Sequence, residues 1–159
     1  MQKKILIVIT GSIAAYKALY LIRKLKEKDF FINVIMTNSA KKFITPLSVS
    51  SLSEKRVYEN LFDLTEETEM GHIKLAKMHD LIIVMPASAN FMAKVSNGYA
   101  DDLATTVLLA SKTKVLFVPA MNINMLTNPI TQKNIKYLRG SGYDFIFGKE
   151  GKLACGDHG

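Results

Sequence analysis

Four short apolar runs, each ending in a segment of small and hydroxylated residues, limit what this chain can fold into more than any other feature. They are "ILIVI" before "TGSIAAYK", "FFINVIM" before "TNSAKKF", "LIIVM" before "PASANF", and "VLFV" before "PAMNINM". None alternates apolar with polar residues, so each reads as a strand covered on both faces. The first is expected at Ile5 to Ile9, the second to end at Thr37, and the third and fourth to break at Pro86 and Pro119. Between them the apolar period changes to that of a helix. Ser12 is placed to cap a helix along which Ala14, Ala18, Leu21, Ile22 and Leu25 share a face. "NSAKKFI" reads as a short helix, and Pro46 opens another through "LSVSSL". "GHIKLAKMHD", "ANFMAKVS" (ended by Asn97-Gly98), "ADDLATTVLLAS" (acids in its first turn) and "NPITQKNIKYLRGSG" (Pro129 at its start) complete the set. "RVY" and "YDFIF" read as short strands. Strand and helix alternate from end to end, which implies one α/β domain. Its sheet is doubly wound, mostly parallel and Rossmann-like, with right-handed crossovers.

The composition agrees. The chain has 159 residues, enough for a single core, and 48% of them are apolar, which excludes a disordered chain. One cysteine cannot form an internal disulfide, so a reducing cytoplasm is the expected setting. The net charge of +7 comes from lysines spread over many segments. They read as solvated faces, with phosphate-bearing small molecules as the alternative partner. No basic stretch is interleaved with aromatics, which argues against nucleic acid. The basic-then-apolar start resembles a leader, but Gly11, Ser12, Lys17 and Arg23 interrupt it; a strand and helix are expected instead. No apolar run is long enough to span a membrane, and no metal site is expected.

In a doubly wound sheet, ligands bind beyond the carboxyl ends of the strands. All four small-residue segments fall there. Small side chains let backbone N–H groups approach a ligand, and the helix start that follows favours an anion. The segment "GSIAAY" has one glycine, so it is not G-x-G-x-x-G, and nothing ends in the Gly-Lys-Ser/Thr of a phosphate loop. The residues alone point to a nucleotide or a flavin with one phosphate; ordinary βα turns are the alternative for any single segment. The last stretch, "GKLACGDHG", carries the only cysteine, Cys155, between glycines.

Taken in order, "GSIAAYK", "GHIKLA", "PASANFMAKVSNGYADDLATT", "PAMNINM" and "LACGDHG" resemble the homo-oligomeric FMN-containing cysteine decarboxylases. The likeness runs from Lys4 to Gly159. It implies a cytoplasmic enzyme with FMN as cofactor, assembled as a trimer or as trimers built into a dodecamer. The implied reaction is decarboxylation of 4'-phosphopantothenoylcysteine to 4'-phosphopantetheine in coenzyme A biosynthesis. The alternatives are a peptidyl-cysteine decarboxylase of lantibiotic maturation and a non-catalytic flavin-binding regulator. Bifunctional bacterial members of the family continue into a synthetase domain. Residues 1–159 then correspond to the FMN-binding decarboxylase domain, and 149–159 to the start of a substrate flap.

By position, the resemblance places flavin contacts on Gly11, Ser12, Ile13, Thr37, Ser39, Phe43, Ser88, Ala89, Asn90, Phe91 and Thr105. It places the active-site histidine on His72, the substrate-binding asparagine on Asn122 with Met125 nearby, and the flap's proton donor on Cys155. The chemistry suits these residue types. A cysteine carboxylate loses CO₂ only once a neighbouring carbon can accept the electrons, and oxidation of the thiol carbon to a thioaldehyde supplies that acceptor. Asn122 has donors for a carboxylate without neutralising it, although as a residue type it equally suits a helix cap before "INML". His72 can move a proton near neutral pH. Cys155, with an ordinary pKa of about 8.5, is mostly protonated and can return a proton to carbon. His79 and Lys17 carry no motif and read as structural and solvated, respectively.

Overall fold

The computed structural model describes residues 2–62, 71–149 and 151. Among them six strands form one sheet in the order β3-β2-β1-β4-β5-β6, and every neighbouring pair is parallel. The strands are β1 (Lys4–Ile9), β2 (Phe31–Met36), β3 (Val57–Tyr58), β4 (Leu81–Ala87), β5 (Val115–Pro119) and β6 (Asp144–Phe145). The helices are α1 (Ala15–Lys26), α2 (Pro46–Ser53), α3 (Gly71–Lys77), α4 (Ala89–Ser96), α5 (Leu103–Ala110), α6 (Ile123–Thr127) and α7 (Pro129–Gly140). This is the expected Rossmann-like, doubly wound fold, and the strand order reverses between β1 and β4.

Strand β1 shows why the apolar runs lack alternation. Ile5, Ile7 and Ile9 pack with Ala15, Ala18 and Ile22 of α1 and Val49 of α2. Leu6 and Val8, pointing the other way, pack with Leu75 of α3, Met92 of α4, Val107 of α5 and Leu138 of α7. Both faces are dry, so both sets of alternate positions are apolar. Each such aliphatic side chain contributes about 1.5–3 kcal/mol on burial, and Ile7→Ala costs about 2–5 kcal/mol.

Local signals set most helix ends. Thr45 accepts the Ser48 N–H at 3.1 Å ahead of Pro46, and Asn128 accepts the Ile130 N–H at 2.9 Å ahead of Pro129. Gly98 follows α4 with φ +71°, a conformation that costs a residue without a side chain nothing.

Five expectations change in detail. Ser12 is not the N-cap of α1: its hydroxyl accepts the Ala14 N–H at 3.2 Å and shapes the turn before the helix. Pro86 does not end β4, which runs on to Ala87. The ladder with β5 shifts register between Val84 and Ala87, which accommodates a residue that cannot donate to it. "NSAKKFI" yields only a 3₁₀ turn, Ala40–Lys42. Asp101 and Asp102 lie before α5, not in its first turn: Asp102 is the N-cap and forms a capping box with Thr105. The "YDFIF" strand pairs over two residues only, Asp144 and Phe145.

Candidate functional site

The reversal of strand order leaves a cleft outside the carboxyl ends of β1, β2 and β4, where neighbouring crossovers depart to opposite faces of the sheet. A cavity of about 360 Å³ occupies it. Thr10 and Gly11 line it from the end of β1, Met36 to Ser39 from β2, and Glu59 to Phe62 from beyond β3. Ser88, Asn90, Phe91 and Lys94 line it from α4 and its cap, and Asp101 to Ala104 from the start of α5.

Two contacts give the cavity its shape. Thr10, 1% exposed, donates its hydroxyl to the Pro86 carbonyl at 2.6 Å and accepts the Ser88 N–H at 3.0 Å. It ties the ends of β1 and β4 together at the switch point. Gly11 abuts Ser39, so the turns after β1 and β2 touch. The backbone N–H groups of Gly11, Ser12 and Ile13 have no hydrogen-bond acceptor among the described residues, whereas those of Ala14 and Ala15 are satisfied by Ser12. These three N–H donors lie in the turn just ahead of the twelve-residue α1, a position from which backbone donors can hold an anion. Ser88 caps α4 by accepting the Phe91 N–H at 3.2 Å, leaving the Ala89 and Asn90 N–H groups at the helix start.

The acidic wall is partly neutralised. Glu59 is paired with Lys41 at 2.9 Å, and Asp101 with Lys94 at 2.7 Å. That short contact raises the Lys94 ammonium above its ordinary pKa and lowers the Asp101 carboxyl below its own.

Of the residues expected at the site, Gly11, Thr37, Ser39, Ser88, Asn90 and Phe91 line the cavity together. Ser12, Ile13 and Ala89 adjoin it in sequence, in the turn before α1 and at the first position of α4. Phe43 is 48% exposed and stands outside the lining. Thr105 is 1% exposed, with its hydroxyl engaged by Asp102 at 3.0 Å. His72 is half-buried in the first turn of α3. Asn122 caps α6, its Oδ1 accepting the Met125 N–H at 2.8 Å, and Met125 is exposed. Neither His72 nor Asn122 lines the cavity in the single chain. Cys155 lies outside the described residues. Thr10, Lys94, Asp101 and Asp102 were not expected there. Their only signal was position, at a strand end or around the turn joining two helices.

His79, read from the sequence as structural, is 5% exposed. Its Nδ1–H donates to the Leu75 carbonyl at 2.8 Å, and its Nε2 accepts from Asn33 Nδ2 at 3.0 Å. Burial lowers its pKa, and Lys4 acts in the same direction.

A doubly wound fold with three N–H donors in its first βα turn and a cleft at the switch point is the arrangement of a nucleotide- or flavin-binding α/β protein. The family model described as Flavoprotein matches residues 1–159, and the chain belongs to that family. Within it, the chain is 47% identical over 161 residues to the probable phosphopantothenoylcysteine decarboxylase of Streptococcus mutans, covering 100% of this chain and 90% of that one. It is 45% identical to the coenzyme A biosynthesis bifunctional protein CoaBC of Vibrio vulnificus, covering 99% of this chain but 39% of that protein. Among solved structures, the FMN-dependent cysteine decarboxylase SpaF superposes with a TM-score of 0.88 at 28% identity, over 94% of this chain and 86% of that one. The C175S variant of PPC decarboxylase, complexed with pantothenoylaminoethenethiol, gives 0.85 at 26%, over 100% and 89%.

The residues present suit a flavin mononucleotide. The unsatisfied N–H groups of Gly11 to Ile13, with the Ser39 hydroxyl across the Gly11 contact, match a phosphate. The buried ring of Phe91 provides an apolar wall, and Thr37 and Ser88 provide hydroxyls beside it.

Proposed function

We propose that this chain binds FMN and removes CO₂ from the cysteine carboxylate of 4'-phosphopantothenoylcysteine, giving 4'-phosphopantetheine for coenzyme A synthesis. The flavin half of this reading is carried by the cleft at the β1/β4 switch point, with its three free N–H donors and the Gly11–Ser39 contact. The substrate half is supported by the 47% identity, along the whole chain, to the streptococcal decarboxylase. The synthetase activity of the bifunctional proteins forms no part of the proposal, since the chain spans 39% of such a protein.

When bound, FMN supplies two-electron redox chemistry that makes the carbon next to the cysteine α-carbon an electron acceptor. The protein's part is binding, orientation and proton movement. The Gly11, Ser12 and Ile13 N–H groups hold the cofactor phosphate, with Thr37, Ser39 and Ser88 donating hydroxyls. Ala89 and Asn90 present backbone at the start of α4. Phe91 walls the cleft, Ile13 and Phe43 contact the flavin from outside the lining with their exposed side chains, and Thr105 holds the start of α5 through its capping box. Asn122 spends Oδ1 on its own helix, which leaves both Nδ2 hydrogens for the substrate carboxylate. Met125 flanks it. His72 takes the proton released on thiol oxidation, and Cys155, at the start of the flap in residues 149–159, returns one to carbon after CO₂ has left.

His72 and Asn122 lie outside the cleft lining of one chain, while Ile13, Phe62, Tyr99 and Met125 are exposed apolar side chains. In the trimer, alone or within a dodecamer, a second copy completes the site at the subunit boundary. The working enzyme is a cytoplasmic homo-oligomer. No described helix is long and apolar enough to cross a membrane.

The test is incubation of the FMN-loaded protein with 4'-phosphopantothenoylcysteine, with CO₂ and product mass followed together. Loss of 44 mass units, the mass of CO₂, with release of 4'-phosphopantetheine is expected. Turnover of a cysteine-terminated peptide in its place would transfer the assignment to peptidyl-cysteine decarboxylation. Flavin binding with neither substrate consumed would favour a regulator.

A further inference from the structure

Lys94 is the one cationic side chain lining the cavity among the described residues. Its backbone and its side chain act on opposite ends of the same loop. The loop, residues 97–102, joins α4 to α5 and turns back through Gly98 at φ +71°. At the near end the Lys94 carbonyl accepts the Tyr99 N–H at 3.1 Å. At the far end the ammonium lies 2.7 Å from Asp101 Oδ2 and 3.6 Å from Asp102 Oδ2. Asp102 keeps Oδ1 for α5, accepting the Thr105 N–H at 2.8 Å and its hydroxyl at 3.0 Å. One lysine thus connects the last turns of α4 to the cap of α5, and the end of the loop with the first residues of α5, Asp101 to Ala104, forms one wall of the cavity.

We propose that Lys94 is a positioning residue for the cofactor cleft. By bracing residues 97–102 at both ends it fixes the wall formed by Asp101, Asp102, Leu103 and Ala104, and thereby sets cofactor affinity. The proposal rests on the reading of the cleft as an FMN site. An exposed ion pair contributes little because water screens it and two long side chains lose freedom. Here the lysine side chain is 27% exposed, and the carboxylate it shares with the α5 cap is 34% exposed. The cap has already ordered Asp102, so less freedom remains to be lost. Without the ammonium, the contacts of 2.7 and 3.6 Å that tie Asp101 and Asp102 to α4 are lost, and the start of α5 is held by its own cap alone.

Position and charge are separable by mutation. Lys94→Met removes both the brace and the positive charge. Lys94→Arg keeps both. Lys94→Met with Asp101→Asn restores the net charge without restoring the brace. Kd for FMN, measured by flavin fluorescence quenching on cofactor-free protein, is expected to rise about tenfold in Lys94→Met and to stay within about twofold of wild type in Lys94→Arg. The double variant is expected to stay weak. The deficit should persist at high salt, since a geometric loss is not screened. Asp101→Asn alone weakens the shortest contact from the outer side, since an amide oxygen still accepts from the ammonium but carries no charge. It should weaken binding about threefold, and it serves if Lys94→Met does not fold. Full recovery in the double variant would make the effect one of charge and overturn the positioning role. So would unchanged affinity in both Lys94→Met and Asp101→Asn, or a Lys94→Arg protein as weak as Lys94→Met. A wild-type protein that binds no FMN would overturn the flavin reading itself and this proposal with it.

Discussion

Gly11 and Ser39 lie so close that a methyl group added to Gly11 would stand 2.5 Å from the Ser39 Cβ, with the Ser39 backbone carbon at 3.3 Å and its Cα at 3.4 Å. No flexible chain end can move aside there. Gly11→Ala must push apart the turns that follow β1 and β2, two walls of the cleft. The expected result is a loss of about 1–3 kcal/mol in stability, as for other overpacked positions, and FMN binding weakened by about tenfold or more. Thermal melts and a fluorescence titration measure the two effects. An alanine variant with wild-type affinity would mean that the phosphate is held elsewhere.

Asn122 allows its cap to be separated from its proposed catalytic part. Asn122→Asp keeps an oxygen to accept the Met125 N–H, so α6 should persist and the melting temperature should hold. The Nδ2 donors are replaced by a negative charge, and turnover should fall by a factor of about 10² or more. Asn122→Ala removes the cap as well and should cost about 1 kcal/mol. Normal turnover in the aspartate variant would reduce Asn122 to a capping residue.

His72→Asn tests proton movement. The side chain is half-buried at the start of α3, outside the cleft lining, so cofactor content should match wild type while anaerobic bleaching of the flavin by substrate is lost. Cys155→Ser is the complementary change: CO₂ should still be released, and a product two hydrogens short of the normal thiol should accumulate. Mass spectrometry of the products distinguishes the two variants. Complete product from Cys155→Ser would make that thiol a bystander.

The Asn33–His79 pair predicts an acid-sensitive fold. Burial holds the folded pKa of His79 below its ordinary value of about 6.5. The unfolded chain therefore takes up a proton at His79 before the native one does. The resulting stability is fully present above pH 6.5 and is lost as pH falls from there toward the depressed folded value, by at most about 1.4 kcal/mol per pH unit. Protonation would also put an N–H on Nε2, which now accepts from Asn33. Melting temperature measured from pH 8 to 5 should decline below about pH 6.5 in wild type. The decline should be shallower in His79→Gln. Equal slopes would place the acid sensitivity elsewhere.

Much of the cleft was legible in the sequence because its parts obey local rules. The segments that carry Gly11, Thr37, Ser39, Ser88, Asn90 and Phe91 follow three apolar strands, whose carboxyl ends are where such a sheet binds ligands, while the choice of residues within them came from the family resemblance. The capping signals of Thr45 and Asn128 ahead of prolines were equally local. Pro86 misled because its missing donor was read as a strand break, whereas a register shift against β5 absorbs it. Asp101 and Asp102 misled because acids suit a first helical turn and the residues before it almost equally.

The sequence by itself determined the class of fold. Uninterrupted apolar runs alternating with helical periods are stable only as a parallel sheet with both faces covered, and that condition can be read within each segment. Only the tertiary structure decided which segments meet. Thr10 bonds Pro86 and Ser88 across more than 70 residues of chain, and Asn33 meets His79 across 46. Gly11 abuts Ser39, and Lys94 braces the wall that Asp101 begins. No local propensity links such residues. They become neighbours because β1 must lie between β2 and β4 for its two apolar faces to be buried against helices on both sides, and that packing places the turns after β1, β2 and β4 around one cleft.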